Sequence, residues 1–281
     1  MKKIFKSLIN IFIRFFVAML AKINLGRYIL DIINKNIIER KKTVVCKDLK
    51  LNFYVPNRLS YFRVNTFHSK EPETLEWIEN FEKESIFWDV GANIGLYSCY
   101  AAKKKNCKVY AFEPSIFNLE WLGKNIFLNS LENKIVIVSL PLNETIAEND
   151  INFSSTEWGG ALSTFGKKYG HDGKDLEKIF GIKTIAINMD SIKNFFETPQ
   201  PDYIKIDVDG IEHLILSGGE KVLLNTKEIL IEINDKFEEQ KNNCTKSLKR
   251  LGFSLKEKRK SKMFENTDFS GFSNQIWVRK L

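Results

Sequence analysis

The stretch "FWDVGANIGLYS", Phe87–Ser98, decides the fold of this 281-residue chain. Apolar residues lead into Asp89, and glycines at positions 91 and 95 precede a helix-like continuation. Gly91 and Gly95 leave no Cβ to block a ligand from the backbone, as in the first strand–turn–helix unit of nucleotide-binding folds. Because Asn93 replaces the second glycine of the usual GxGxxG pattern, the turn alone fits either a cofactor site or a purely structural connection.

Strand and helix patterns alternate from Ser85 onwards, with short turns between them. The predicted strands are "SIFWDV", "KVYAFE", "KIVIVSL", "KTIAINM", "DYIKIDV" and "EILIEI", followed by a closing antiparallel pair, "FSLKEK" and "NQIWVRKL". The predicted helices are "LYSCYAAKKK", "IFNLEWLGKNIFLNS", "DSIKNFF" with Asp190 as its N-cap, "EHLILSGGEKVLL" and "EEQKNNCTKSLKRL". This alternation predicts an α/β fold, a doubly wound and mostly parallel sheet with its site at the carboxyl ends of the strands.

One span inside this alternation, Pro141–Gly181, shows no regular period and is predicted to be irregular. It leaves the third strand at the same rim as the glycine turn, so we expect it to cover the site. Its segment "WGGALS", residues 158–163, is expected to be mobile because two adjacent glycines give the backbone freedom.

Accessory elements precede the alternating core. Residues 43–55, "TVVCKDLKLNFYV", predict a strand pair, and "KEPETLEWIENF" predicts a helix that begins at Pro72. For Glu71 and Thr74 in that stretch, helix capping is favoured over contact with a cofactor. The expected units are a helical extension over residues 1–40, an accessory hairpin and helix over 41–84, and the main domain over 85–281.

The amino-terminal segment is predicted to be a basic amphipathic helix. Its polar residues share one sector of the helix, opposite a sector of large apolar residues: Lys2, Lys3, Lys6, Asn10 and Arg14. The segment is too short and too charged to span a bilayer. Three roles stay open: packing on its own domain or a partner subunit, which is favoured; peripheral contact with a membrane through residues 1–24; and a signal segment.

Composition narrows the classes of partner and compartment. The net charge is +8, but the lysines are dispersed and the densest basic run, "KEKRKSK", reads as solvated, so no nucleic-acid partner is predicted. The four cysteines form no paired motif, which predicts small apolar core residues, no metal site and a reducing cytoplasm: Cys46, Cys99, Cys107 and Cys244. The expected location is the cytoplasm, including the inner face of the membrane.

Four acidic residues end or nearly end predicted strands: Asp89, Glu113, Asp207 and Glu232. A carboxylate is costly at such a position unless it meets water, a ligand or a hydrogen bond, so this rim is the predicted site. Glu113 follows the glycine turn by about two dozen residues, the spacing of an acid that binds both hydroxyls of a ribose. Together, the turn and Glu113 favour an adenosine-type ligand.

The strand "YIKIDVDGIEH" concentrates the remaining chemistry. Lys205, Asp207 and Asp209 share one strand face, and Asp207 or His213 could remove a proton from a substrate hydroxyl. A solvent-facing position at a helix start is the competing interpretation of His213. An oxygen-rich set could hold Mg²⁺, but no metal is predicted: Asp207, Asp209, Glu232 and Asn234.

In combination, "FWDVGANIGLYS", "VYAFEPS", "WGGALSTF" and "PDYIKIDVDGIEHLILSGGEKVL" with "EILIEIN" resemble the FkbM-type family of S-adenosylmethionine-dependent methyltransferases. The resemblance covers roughly residues 62–253. It implies a Rossmann-like, seven-stranded class I methyltransferase sheet with strand order 3-2-1-4-5-7-6 and the last strand antiparallel.

The resemblance also implies site residues. The loop with Asp89, Gly91, Asn93 and Gly95 would surround the methionine part of S-adenosylmethionine. Glu113 would bind its ribose, and Asp207 would face the reacting methyl group. Many related enzymes place an acid after the third strand for the adenine amine, but Ser139, Leu140 and Pro141 stand here, so Asn143 or backbone groups would replace it.

The function that follows is methyl transfer from S-adenosylmethionine to a hydroxyl of a sugar, a glycan precursor or a related metabolite. The first alternative is a non-catalytic membrane-docking or scaffold protein with a methyltransferase-like fold, which the basic amino terminus motivates. A nicotinamide-dependent dehydrogenase is less favoured, because the second glycine is absent and Asp89 is unsuited to a diphosphate. The oligomeric state stays open.

Overall fold

The computed structural model describes residues 2–46 and 49–279 of the chain. The helices are α1 (Lys2–Leu20), α2 (Asn24–Ile38), α3 (Arg58–Asn65), α4 (Pro72–Glu79), α5 (Leu96–Lys105), α6 (Ile116–Leu128), α7 (Met189–Phe195), α8 (Glu212–Ser217), α9 (Glu220–Leu223) and α10 (Glu238–Arg250). The strands are β1 (Lys41–Cys46), β2 (Leu49–Tyr54), β3 (Ile86–Val90), β4 (Lys108–Phe112), β5 (Ile135–Val138), β6 (Ala147–Phe153), β7 (Ser163–Phe165), β8 (Phe180–Ala186), β9 (Tyr203–Ile206), β10 (Glu228–Asn234), β11 (Phe253–Arg259) and β12 (Phe272–Arg279).

A seven-stranded sheet forms the centre, in the order β11-β12-β10-β9-β3-β4-β5. The pairs of β3 with β4 and β9, of β4 with β5, and of β9 with β10 are parallel. Only β12 runs against its neighbours β10 and β11. Numbered from β3 along the seven strands, this is the order 3-2-1-4-5-7-6, so the predicted doubly wound sheet is confirmed.

Apolar side chains cover both faces of this sheet, because neighbouring residues of a strand point to opposite faces. Phe87 belongs to one buried cluster and Trp88 to the other. The β1–β2 hairpin and α4 contribute Leu51 and Trp77 to the cluster of Phe87. The predicted strand pair and the helix beginning at Pro72 are therefore confirmed, and both elements share the core of the main sheet.

The four cysteines are all buried and free, which confirms them as small core residues.

A second, three-stranded antiparallel sheet, in the order β7-β6-β8, lies in the span predicted to be irregular. That prediction was wrong for residues 147–153 and 163–165. In β6, only Ile151 and Phe153 are apolar residues on the buried side, so the alternation is too short to stand out in the sequence. The stretch "KTIAINM" forms most of β8 and belongs to this small sheet rather than to the main one.

The cap of α7 differs from the prediction. Asn188, not Asp190, is the N-cap, and its side-chain oxygen accepts a hydrogen bond from Ser191 N at 2.8 Å. The Asp190 carboxylate instead accepts from Val222 N at 2.9 Å, at the start of α9. Asp190 therefore binds the N-terminus of α9, whereas the sequence predicted that it would cap α7.

The predicted helix "EHLILSGGEKVLL" is divided into α8 and α9 at two glycines. A Cβ on Gly218 would lie 2.4 Å from the Asn143 carbonyl oxygen, and one on Gly219 would lie 2.2 Å from Met189 Cε. The backbone of Asn143 therefore leaves no room for a Cβ at Gly218, and the division between the two helices lies at this close approach.

Helices α1 and α2 are joined by the short turn of residues 21–23 and contact each other. The eleven large apolar side chains of α1 from Ile4 to Met19 are between 42% and 69% exposed, so they are not covered by the domain that follows. Packing of this helix on its own domain is therefore not what the structure shows. Within the described residues, no helix has the length and apolar content needed to cross a membrane.

Candidate active site

A cavity of about 530 Å³ opens at the carboxyl ends of β3, β4, β9 and β10. Its lining includes Gly91 and Asn93 after β3, Glu113 after β4, Asp207 after β9 and Glu232 in β10. The volume suits a small-molecule site, and the position is the one expected of a parallel sheet. Three of the four strand-end acids therefore meet in one cavity.

The glycines of the first loop serve packing. Gly91 has φ +86°, and a Cβ there would lie 1.9 Å from the Asp207 carbonyl oxygen, so the loops after β3 and β9 touch. Gly95 has φ +84°, and its Cβ would lie 2.6 Å from Leu122 Cδ1. Gly95 does not line the cavity, whereas Gly91 does.

Asn93 connects this loop to the segment that covers the cavity. Its backbone N–H donates to Glu113 Oε2 at 2.7 Å, and its side-chain Nδ2 donates to the Gly160 carbonyl at 2.7 Å. The Gly160 carbonyl also accepts from Asn118 Nδ2 at 3.0 Å, and Asp209 Oδ2 accepts from Leu162 N at 2.7 Å. The "WGGALS" segment does cover the cavity, but these bonds fasten it at several points, contrary to the expected mobility.

Glu113 is buried at the edge of the cavity. Besides the bond from Asn93, its Oε1 accepts from Ser115 N at 2.8 Å. Burial raises the pKa of Glu113 to about 7, although the two backbone donors favour the ionised form. Oε1 also accepts a longer bond from Asn118 Nδ2 at 3.4 Å, so a free lone pair remains on Oε2. A carboxylate that titrates near neutral pH and keeps this lone pair can accept a hydrogen bond from a ribose hydroxyl.

Asp89 lies beneath the loop and does not line the cavity. Its Oδ2 accepts from Ser98 Oγ at 2.5 Å, while its Oδ1 is buried without a hydrogen-bond partner among the described residues. Burial raises the pKa of Asp89, although the charge of Lys205 on the adjacent strand works against this. The structure thus gives Asp89 a supporting position under the loop.

Asp207 stands at the rim in an ion pair with a buried lysine. Lys205 Nζ donates to Asp207 Oδ2 at 2.6 Å, and the side chains are 1% and 24% exposed. Burial alone would raise the pKa of Asp207, but the positive charges of Lys205 and Lys70 outweigh it and lower the pKa. The carboxylate is therefore ionised, fixed through one oxygen and partly open to the cavity.

His213 does not reach the cavity. Its ring is buried beside Phe237, and neither ring nitrogen has a hydrogen-bond partner among the described residues. Burial lowers the pKa of His213, so the ring is neutral. The neighbouring Glu212 accepts from Gly210 N, which fixes the start of α8 with His213 turned away from the rim. The solvent-facing alternative is also wrong.

Asn143 is likewise directed elsewhere. Its N–H donates to the Ile187 carbonyl at 3.0 Å, where residues 142 and 187 form a parallel bridge. Its side-chain oxygen is buried and unpaired among the described residues. Leu140, Pro141 and Leu142 line the cavity in its place.

Sequence reasoning missed several cavity residues. They come from segments far from the glycine loop: Leu59, Phe62, Arg63, Lys70, Phe264, Phe269 and Phe272. Glu71 also lies close by, in a small pocket beside Lys205, and its carboxylate pairs with Lys70 and accepts from Tyr97 Oη at 3.0 Å. Glu71 occupies the N-cap position of α4, but its side chain makes no capping bond, so only the "KEPET" motif hinted at this group.

Within residues 2–46 and 49–279, no group of three or more His, Cys, Asp and Glu side chains is arranged to hold a metal ion.

The sheet has the strand order that the class I methyltransferase fold implies, and Glu113 follows its second strand beside the glycine loop. The family model described as "Methyltransferase FkbM domain" matches residues 89–258, and the chain belongs to this family. The protein is therefore an S-adenosylmethionine-dependent methyltransferase, and the dehydrogenase alternative is wrong. The residues present fit the cofactor, because the backbone at Gly91 and Asn93 lines the cavity and Glu113 faces it.

Three curated proteins show how this chain relates to known enzymes. It is 26% identical over 182 residues to the hexuronic acid methyltransferase AglP of Haloferax volcanii. The aligned region covers 65% of this chain and 70% of AglP. The chain is 25% identical over 190 residues to the methyltransferase sdnD of Sordaria araneosa, and this region covers 58% of this chain and 73% of sdnD. A tRNA (guanine(37)-N(1))-methyltransferase of Dictyostelium discoideum is 33% identical over 85 residues, covering 29% of this chain and 18% of that protein.

Proposed function

We propose that the protein transfers the methyl group of S-adenosylmethionine to a hydroxyl oxygen of a sugar or sugar-containing acceptor. The observation that carries this proposal is the ionised Asp207 carboxylate at the cavity rim, held by the buried Lys205. The name of AglP, a hexuronic acid methyltransferase, supports a sugar as acceptor.

We assign the lining of the cavity to a cofactor half and an acceptor half, with Asp207 between them. The cofactor half contains Gly91, Asn93, Glu113 and the segment Leu140–Leu142. The acceptor half combines cations, a carboxylate and aromatic rings: Arg63, Lys70, Glu232, Phe264, Phe269 and Phe272. Aromatic rings offer apolar faces for the C–H side of a sugar, while charged groups bind its hydroxyls, so this mixture suits a carbohydrate.

The chain contributes orientation and charge to the reaction. Bound S-adenosylmethionine supplies an electrophilic methyl group on a sulfonium. Glu113 binds a ribose hydroxyl, and Asp207 accepts a hydrogen bond from the acceptor hydroxyl and so directs its oxygen at the methyl carbon. Asp207 would take the hydroxyl proton when the acceptor oxygen is methylated. Lys205 keeps Asp207 ionised until then, and the covering segment excludes water.

The test is incubation of the purified protein with isotopically labelled S-adenosylmethionine and carbohydrate pools that include hexuronic acids. We expect label in an alkali-stable methyl ether on a sugar. Alkali-labile label would indicate a carboxyl ester, and label on nitrogen or in RNA would indicate another acceptor; each result would contradict O-methylation. Calorimetric binding of S-adenosylmethionine to the same sample is the control for a functional cofactor half.

A further inference from the structure

The N-terminal hairpin, which we define as residues 2–38, presents an uncovered apolar surface. In α1 the large side chains point outward around most of the helix, and Phe12 stacks on Phe16. In α2 the apolar side chains follow the i, i+3, i+4 spacing of one helix face, and this face is exposed: Leu25, Tyr28, Ile29, Ile32, Ile33 and Ile37. Exposed apolar residues therefore occur along both helices, from Ile4 to Ile37.

The turn of the hairpin is tight. A Cβ on Gly26 would lie 2.1 Å from the Leu20 carbonyl oxygen, so the two helices are closely joined. At its far end, Ile38 packs against the core of the domain. An exposed apolar surface of this extent is unusual on a monomer in water and indicates a partner that covers it.

The charge of the hairpin indicates which partner. Residues 2–38 contain seven basic side chains against one acid, Asp31: Lys2, Lys3, Lys6, Arg14, Lys22, Arg27 and Lys35. A second copy of this chain would bring the same positive charges to the contact, and the two would repel. An apolar face bordered by cations is what anionic lipid headgroups and the acyl chains beneath them bind.

We propose that the N-terminal hairpin docks this methyltransferase on an anionic membrane surface, with the apolar faces of α1 and α2 inserted at the level of the headgroups. The hairpin lies on the bilayer and does not cross it, in agreement with the absence of a spanning helix among the described residues. The proposal does not depend on the acceptor proposed above.

The full chain should float with vesicles that contain phosphatidylglycerol and bind vesicles of phosphatidylcholine alone more weakly. Added salt should weaken the first interaction, because the electrostatic part is screened. The double variant Phe12→Asp/Phe16→Asp should lose about tenfold or more in vesicle affinity, since two apolar side chains no longer insert. Its matched control is Phe127→Asp/Phe195→Asp, at side chains 75% and 68% exposed on the domain, which should bind like the unaltered chain.

Two charge-reversal variants test the electrostatic contribution to vesicle binding. Lys6→Glu/Arg14→Glu should weaken binding to anionic vesicles several-fold, whereas Lys246→Glu/Lys249→Glu, an equal charge change at exposed sites of α10, should not. Calorimetric binding of S-adenosylmethionine confirms that every variant is folded.

Failure of the folded, unaltered chain to bind anionic vesicles would overturn the proposal. So would an equal loss in the control variants. A stable dimer that the Phe12/Phe16 variant dissociates, without vesicle binding, would show instead that a second copy covers the hairpin.

Discussion

The cofactor half and the acceptor half that we propose for the cavity are built in different ways. The cofactor half comes from loops that follow strands of the central sheet, and a hydrogen bond from Asn93 N joins the Glu113 side chain to the glycine loop. Most of the acceptor half comes from segments that precede the sheet, around Arg63 and Lys70, and from Phe264 and Phe269 between β11 and β12. Glu232 of β10 and Phe272 at the start of β12 complete it, so only part of the acceptor half depends on the sheet.

Asp207 lies where the two halves meet, and replacing it should have the largest effect. We expect Asp207→Asn to lower the rate of methyl transfer by about 100-fold or more while S-adenosylmethionine still binds. Because the buried Lys205 would lose the carboxylate to which it is hydrogen-bonded, stability should also fall, by about 3 kcal/mol. Labelled turnover and chemical unfolding measure the two effects.

The double variant Lys205→Met/Asp207→Asn separates these effects, because it removes both charges of the pair. It should regain stability but not activity. Recovery of activity together with stability would mean that Asp207 acts only through folding.

The cofactor half should be intolerant of a single methyl group. Gly91→Ala places a Cβ against the Asp207 carbonyl at a positive φ, so we expect a loss of about 2–4 kcal/mol in stability and weaker cofactor binding. Gly123→Ala is the matched control, because its Cβ in α6 would meet only Ile137 Cδ1 at 3.9 Å. It should stabilise the helix by about 0.5–1 kcal/mol. Thermal unfolding that ranks the two variants equally would contradict the packing role of Gly91.

The next largest effect should be the pH dependence of cofactor binding, which involves the cofactor half alone. Because burial raises the pKa of Glu113 to about 7 from 4.5, binding of S-adenosylmethionine should tighten by about tenfold between pH 6 and pH 8, as the carboxylate ionises. The stability of the free protein should change in the opposite direction. The contribution of Glu113 to the free energy of unfolding is complete below about pH 4.5 and is lost as the pH rises through 7.

Glu113→Gln should remove both trends, and titration calorimetry with unfolding curves across this range would show it. Glu212→Gln is the control, since burial also raises the pKa of Glu212 to about 7 but that side chain does not line the cavity. It should flatten the stability profile and leave the pH dependence of cofactor binding unchanged. Loss of the binding trend in this control would contradict the assignment to Glu113.

The smallest effect should fall on the acceptor half alone. The ring of Phe269 lies 5.2 Å from that of His171 and 5.7 Å from that of Phe272, centroid to centroid. Phe269→Ala should raise the KM for the acceptor by about three- to tenfold without changing cofactor affinity. Phe195→Ala, at an exposed ring of α7, is the control and should change neither quantity. A shift in cofactor affinity for Phe269→Ala would contradict the assignment of Phe269 to the acceptor half alone.

The sequence determined the sheet and the cofactor half. Alternation of strand and helix patterns defined all seven strands of the sheet, and strand-end acids identified Glu113 and Asp207 as cavity residues. These inferences hold because they depend on local periodicity and on one rule, that the carboxyl ends of parallel strands meet at the same edge.

The tertiary structure alone decided the rest. His213 is three residues after Gly210, yet the packing of α8 turns it away from the cavity, and the bridge between residues 142 and 187 does the same for Asn143. Arg63 and Lys70 enter the site across more than 130 residues of chain from Asp207. The sequence predicted an amphipathic amino-terminal helix, but only the structure left its apolar face uncovered. Local pattern specifies an element and its faces, whereas the contact that each face makes depends on packing between segments far apart in the chain.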